Sequence, residues 1–234
     1  MSIQRRSSLF ATLPQHTHIK SFVLRQGKIT SSQKYALKHY ASGYLLNSSS
    51  EIRQWCDSHN NLVLEIGCGM GENLIHLART YPSQQFLGIE VHSAGIGKML
   101  GHIHQYNLSN VHLIAQDAIE ILKHSIADNT LAHTFILFAD PWPKKRHHKR
   151  RLIDSKFLEL IANKLQPSAS LTIATDWQDY ALQIEQALVK TTILSKITSK
   201  DAPLTRTTTQ FERKGIAKGH EIYEFIYRKA DVLT

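Results

Sequence analysis

Residues 62 to 71 read Leu62-Val-Leu-Glu-Ile-Gly-Cys-Gly-Met-Gly71. A short apolar, β-rich run ends in glycines at alternate positions, and 72–79 then shows a helical pattern. Strand, glycine loop and helix form a unit in which missing side chains let a ligand approach the backbone beside a helix start. A dinucleotide fingerprint asks for glycine or alanine three residues after the second glycine; Glu72 stands there, so the spacing is GxGxG and a nicotinamide cofactor is disfavoured.

Outward from this loop, strands are expected over 61–66, 85–89, 111–115, 135–138 and 171–174, with a closing antiparallel strand pair near 221–227. Helices are expected over 32–46, 50–59 (Ser50 as N-cap), 72–79, 92–106, 117–122, 154–165 and 179–189. Such alternation implies an α/β fold with a doubly wound, mostly parallel sheet covered on both faces. Ligands of such sheets sit at the carboxyl ends of the strands.

Three carboxylates fall at those ends: Glu65 before the loop, Glu90 after the next strand and Asp117 after the third. Each alone reads as a helix cap or a solvated loop residue. Together they suit S-adenosylmethionine, with Glu90 for ribose hydroxyls, Asp117 for the adenine amine and Glu65 near the cationic methionine moiety.

The apolar run 134–139 leads into Asp140-Pro-Trp-Pro-Lys-Lys-Arg-His-His-Lys-Arg-Arg151. A carboxylate can accept from base NH groups, Trp142 offers a stacking face, and six cations in 144–151 can hold phosphates. The plain alternative is a strand end followed by a solvated basic turn.

Charge is polarised along the 234 residues. The net charge is +9, and the first fifty residues hold seven Lys/Arg and no acid, Glu51 being the first carboxylate. Outside 1–50 and 144–151, 15 cations face 19 acids. A polyanion is the expected partner, with residues 1–31 as a basic arm that orders on binding and 32–234 as the folded domain. Two cysteines, Cys56 and Cys68, and the lack of a secretory or membrane-spanning run point to a cytoplasmic chain with reduced, structural thiols. The fourteen histidines show no zinc spacing, so no metal is expected.

The combination resembles the bacterial tRNA (guanine-N7-)-methyltransferase family. The resemblance is carried in order by Phe22-Val-Leu-Arg-Gln-Gly-Lys-Ile-Thr30, Leu64-Glu-Ile-Gly-Cys-Gly-Met-Gly71, Phe86-Leu-Gly-Ile-Glu-Val-His92, Asp140-Pro-Trp-Pro-Lys144, His148-Lys-Arg-Arg151, Ala174-Thr-Asp-Trp177 and Thr209-Gln-Phe-Glu212. It implies a seven-stranded class I (Rossmann-like) methyltransferase sheet with an antiparallel last strand. The implied activity is transfer of a methyl group from S-adenosylmethionine to N7 of a guanine in the tRNA variable loop, by a monomer or homodimer.

Position by position, the resemblance makes Glu65, Glu90, Asp117 and Asp140 cofactor residues beside Gly67, Gly69 and Gly71, with Asp140 also catalytic. It makes Lys144, Asp176 and Thr209, Gln210, Phe211 and Glu212 substrate contacts. Arg146, His147, His148, Lys149, Arg150 and Arg151 become an RNA-binding stretch. Without it, Asp176 beside Trp177 reads equally as a helix cap, and 209–212 as an exposed loop. Ala139 stands where the family usually has proline.

Guanine N7 carries an in-plane lone pair and no proton, so the chemistry asks for alignment and charge management rather than a general base. A carboxylate, Asp140 or Asp176, that accepts from guanine N1–H and the 2-amino group would also reject adenine. Two rivals are a methyltransferase acting on another RNA position or an exocyclic amine, whose Asp/Asn-Pro-Pro-aromatic motif orders its residues differently, and a non-catalytic RNA-binding protein.

Overall fold

The computed structural model describes residues 18–24 and 27–231; the rest of the expected basic arm, including Arg5, Arg6 and Arg25, lies outside the described residues. Seven strands form one sheet in the order β3-β2-β1-β4-β5-β7-β6. They are β1 (Leu62–Ile66), β2 (Gln85–Ile89), β3 (Val111–Ile114), β4 (Leu131–Leu137), β5 (Leu165–Thr175), β6 (Leu194–Lys196) and β7 (Tyr223–Lys229). The first five are parallel neighbours, while β7 runs antiparallel between β5 and β6. Strand order reverses at β1, which lies between β2 and β4, so the switch-point crevice opens where the glycine loop leaves β1.

Helices cover both faces: α1 (Ser31–His39), α2 (Ala41–Tyr44), α3 (Ser49–Asp57), α4 (Glu72–Thr80), α5 (Ser93–Gln105), α6 (Ala118–His124), α7 (Ser155–Lys164), α8 (Gln178–Lys190) and α9 (Gln210–Ala217). All of β1 is buried, as expected for a central parallel strand. Its residues alternate between two cores. Leu62, Leu64 and Ile66 meet Ile52 of α3, Ile121 of α6, Phe157 and Ile161 of α7 and Ile184 of α8. Val63 meets Leu74 and Leu77 of α4 and Met99 of α5. Glu65 shares the parity of Val63, which turns its side chain toward α4.

Several expected boundaries shift for physical reasons. The helix expected over 32–46 divides at Tyr40, whose ring stacks on His104, and the chain then extends so that Leu46 N donates to Leu113 O on the edge strand β3. The N-cap of α3 is Ser48, accepting from Glu51 N, rather than Ser50. β4 and β5 run further than their apolar centres because they pair with each other from Leu131 and Leu165 onward. α9 replaces the expected loop, with Thr209 as its N-cap accepting from Glu212 N. No helix among the described residues is long and apolar enough to cross a membrane.

Candidate functional site

The carboxyl rim of the sheet collects the expected carboxylates in strand order. The glycine loop is wound through left-handed backbone at Gly67, Gly69 and Gly71, with φ of 74°, 55° and 80°. Gly67 N donates to Ile89 O at 2.8 Å and Gly69 N to Glu90 Oε2 at 2.7 Å, so β2 fixes the loop. A Cβ at Gly67 would meet nothing within 4 Å, which leaves room for a ligand against the backbone. At Gly95 a Cβ would lie 2.2 Å from Gly69 O; only glycine lets α5 approach the loop so closely.

Glu65 is buried under this loop, where Oε2 accepts from Asn73 Nδ2 at 2.9 Å. Burial pushes its pKa up to about 8, the Asn73 bond opposing and the nearby Glu90 charge adding. No cation of the chain is paired with it among the described residues. A carboxyl held in this state fits a cationic ligand. Glu90 is oppositely provided: Oε1 accepts from Val91 N, His92 N and His92 Nδ1, while Oε2 accepts only from Gly69 N among the described residues. One lone pair of Oε2 is thus open for a ribose hydroxyl. The same Glu90 contact holds His92 above the usual imidazole range, against partial burial.

Asp117 caps α6, accepting from Ile119 N at 3.0 Å, and its other oxygen lies 3.2 Å from His18 Nε2. The opposite ring nitrogen of His18 lies 3.0 Å from Glu120. Residues 18–23 continue along the rim: Trp142 Nε1 donates to Ser21 O, Arg150 to Lys20 O, and His92 Nε2 lies 3.2 Å from Val23 O. An imidazole therefore stands where the adenine amine was expected.

At the ends of β4 and β5, the register pairs Leu137 with Ala174, which puts Asp140 and Asp176 on adjacent strand ends. The turn carrying Asp140 is constrained. Phe138 and Trp142 take φ of 55° and 45°, which bulky side chains rarely adopt and which clusters at functional sites. Asp140 is exposed and near enough to His92 to favour its protonated form. Asp176 does not cap α8. Its Oδ2 lies 3.0 Å from His220 Nδ1 and presses against Gly215 of α9, where a Cβ would come within 2.7 Å.

The basic stretch folds as a 3-10 helix over Lys145–Arg150. Lys144, Arg146 and Lys149 are exposed, whereas His147, His148 and Arg150 are half-buried. Two expectations change here. Arg151 is buried: it donates to Pro141 O at 2.8 Å and to Gln183 Oε1 at 2.8 Å, pairs with Asp179, and lies over the Tyr180 ring. It therefore pins the basic helix to α8 and has no face left for phosphate. Trp142 keeps at most one face for stacking, because the Arg150 guanidinium lies over the other at 5.1 Å from its ring centre and Ser21 takes its N–H.

The segment expected to contact substrate reaches the glycine loop. Thr209 and Glu212 are buried, Glu212 in an ion pair with Arg206, which also holds Glu224. Gln210 N donates to the Glu72 carboxylate. Phe211, 60% exposed, faces Gly69 across the same cleft that Glu65 and Gly67 line. The residue that ties these parts together was not anticipated. Asn73 binds Glu65 through Nδ2 and accepts from Thr207 N at 2.9 Å through Oδ1. Only its place one residue after Glu72, on the first turn of the loop helix, signalled it. The roles of Arg206 and His92 likewise emerge only with their partners, Glu212 and Glu224 for the one and Glu90 for the other.

Residues 59–225 match the family described as "Putative methyltransferase". A tRNA (guanine-N(7)-)-methyltransferase of Legionella pneumophila (strain Lens) is 38% identical over 220 residues, covering 90% of this chain and 98% of that protein. The chain belongs to the tRNA (guanine-N(7)-)-methyltransferase family. A member from Methylobacillus flagellatus is 40% identical over 221 residues, covering 90% of this chain and 91% of its own length. Solved structures agree on the fold alone: an antibiotic-related methyltransferase has a TM-score of 0.54 at 17% identity, covering 82% of this chain and 98% of its own. The 16S rRNA methyltransferase KamB has a TM-score of 0.56 at 14% identity, covering 78% and 94%. Among the described residues, no group of three or more His, Cys, Asp or Glu is placed to hold a metal ion.

Proposed function

We propose that this protein transfers a methyl group from S-adenosylmethionine to N7 of a guanine in tRNA, the target lying in the variable loop. The observation that carries the reading is the carboxylate rim of a family member: Glu65 near the end of β1, and Glu90, Asp117, Asp140 and Asp176 after β2, β3, β4 and β5, stand beside a left-handed glycine loop. The donor set fits the cofactor. Glu65 would hold its cationic portion and Glu90 Oε2 its ribose, with Gly67 and Gly69 under its chain; Asp117 would reach its adenine amine once the His18 imidazole, 3.2 Å away, moves aside. When bound, S-adenosylmethionine supplies an electrophilic methyl on a sulfonium.

The chain's own work is positioning and charge. Asp140, on its constrained turn, and Asp176, braced by His220 and Gly215, stand where either can accept from guanine N1–H and the 2-amino group. As positive charge develops on the purine, a carboxylate so placed stabilises it increasingly, and no side chain has to remove a proton. Lys144, Arg146 and Lys149 offer exposed cations to the phosphates, and Phe211 offers a ring over the loop. Residues 32–234 serve as the catalytic domain and the basic segment before it as an RNA-facing arm.

The test is methyl transfer from labelled S-adenosylmethionine to bulk tRNA, followed by nucleoside identification. 7-Methylguanosine is the expected product. Label on an exocyclic amine would replace this reading with its nearest rival, and no label in any nucleoside would end it.

A further inference from the structure

The helix pair α1 and α5 carries a surface that the rim chemistry does not use. No Asp or Glu occurs in residues 1–50 or 91–116, so both helices, and α2 between them and β3, are free of carboxylates. Four rings form a continuous chain across them. His39 tilts on Tyr35 with centroids 4.2 Å apart, Tyr35 meets Tyr40 edge-on at 5.9 Å, and Tyr40 stacks on His104 at 3.9 Å with an interplanar angle of 17°. Tyr35 is 56% exposed, and His39 and His104 are also exposed. Lys34 and Lys38 flank the rings from α1 and Lys98 stands on α5, all exposed.

Of these ring contacts, only the Tyr40–His104 stack joins the two helices. α1 docks through buried Ala36 and through Gly97, where a Cβ would lie 2.8 Å from Gln33 O. Tyr35 and His39 sit outside that contact. A stacked aromatic face edged by cations and lacking acids matches single-stranded polynucleotide, whose bases stack and whose phosphates need positive charge. α5 follows its N-cap His92 on the rim, and His104 is twelve residues beyond it, so His104 lies roughly 18 Å along the helix from that rim residue. A substrate as large as tRNA spans that distance.

We propose that Tyr35, His39, Tyr40 and His104, with Lys34 and Lys38, form a second contact surface for unpaired nucleotides of the substrate RNA. This rests on tRNA being the substrate. Tyr35→Ala/His39→Ala and Lys34→Ala/Lys38→Ala double variants of the full chain are compared with wild type in tRNA binding, S-adenosylmethionine binding and thermal unfolding.

The aromatic variant is expected to weaken tRNA binding roughly 5- to 100-fold, with S-adenosylmethionine Kd and Tm unchanged. The lysine variant is expected to lower the slope of log K against log salt by about 0.7 per lost phosphate contact. Wild-type tRNA affinity and salt slope in both variants would overturn the surface. So would an altered monomer–dimer balance at unchanged tRNA affinity, since that would make it a face for a second copy. A wild type that binds tRNA without methylating it would refute the activity and leave this comparison standing; one that binds no tRNA would refute both.

Discussion

Replacing Glu65 by Gln separates the stability of the site from its use. The folded carboxyl titrates at about 8 against an ordinary 4.5, because burial penalises its charge. A raised carboxyl pKa gives a stability contribution that is full below 4.5 and is lost as pH rises through about 8. At pH 7 the unfolded chain has ionised this group and the folded chain has not, which costs roughly 3 kcal/mol relative to a side chain that cannot ionise.

Gln keeps an oxygen for Asn73 Nδ2, so Glu65→Gln should unfold at the same temperature as wild type near pH 4 and roughly 6 to 12 °C higher at pH 7 without ligand. Ligand binding should show the reverse. A cation favours the ionised carboxylate, so wild-type affinity for S-adenosylmethionine should fall about 10-fold from pH 9 to pH 7 beyond any change in the variant. The variant cancels the titration of the ligand's own amine. At pH 9 it should bind roughly 10- to 100-fold more weakly than wild type. Calorimetric titrations and thermal scans across pH 4 to 9 check both. A variant no more stable than wild type at pH 7 that binds the ligand equally well would refute the assigned charge state and role together.

Asp140→Ala should lower turnover at least ~100-fold with little change in Tm, by single-turnover assay, since it removes one preorganised charge from an exposed site. Arg151→Ala should lower Tm through lost buried contacts to Pro141 O, Gln183 and the Tyr180 ring and a loosened basic helix while the salt slope of tRNA binding holds, whereas Arg146→Ala/Lys149→Ala should flatten that slope by roughly 0.9 per lost duplex phosphate contact at constant Tm. Gly95→Ala should push on Gly69 O and cost about 1 to 3 kcal/mol, seen together as a lower Tm and weaker S-adenosylmethionine binding. Asn73→Ala should strand buried partners on two segments, raising both the cofactor Kd and the KM for tRNA; a change in only one would show that Asn73 does not join them.

Local sequence determined the parts whose causes are local. The apolar run 62–66 and the glycines that follow announce a buried strand and a left-handed loop, because β-branched packing and positive φ are properties of single residues. Strand parity and parallel alternation then place Glu65, Glu90 and Asp117 on one rim. Charge polarisation is likewise a property of the chain.

What each side chain does there is decided by partners distant in sequence. Arg151 belongs to the same basic run as Arg146, yet folding puts Asp179 and Gln183 around it, and burial turns an expected phosphate contact into an internal pin. Segment 209–212 looks like a free loop until α9 brings it to Gly69 and Glu72. Glu65 and Glu90 look alike in sequence. Only the tertiary structure gives four hydrogen-bond donations to one and a desolvated pocket to the other, because desolvation and hydrogen-bond satisfaction depend on what surrounds a group in space rather than beside it in the chain.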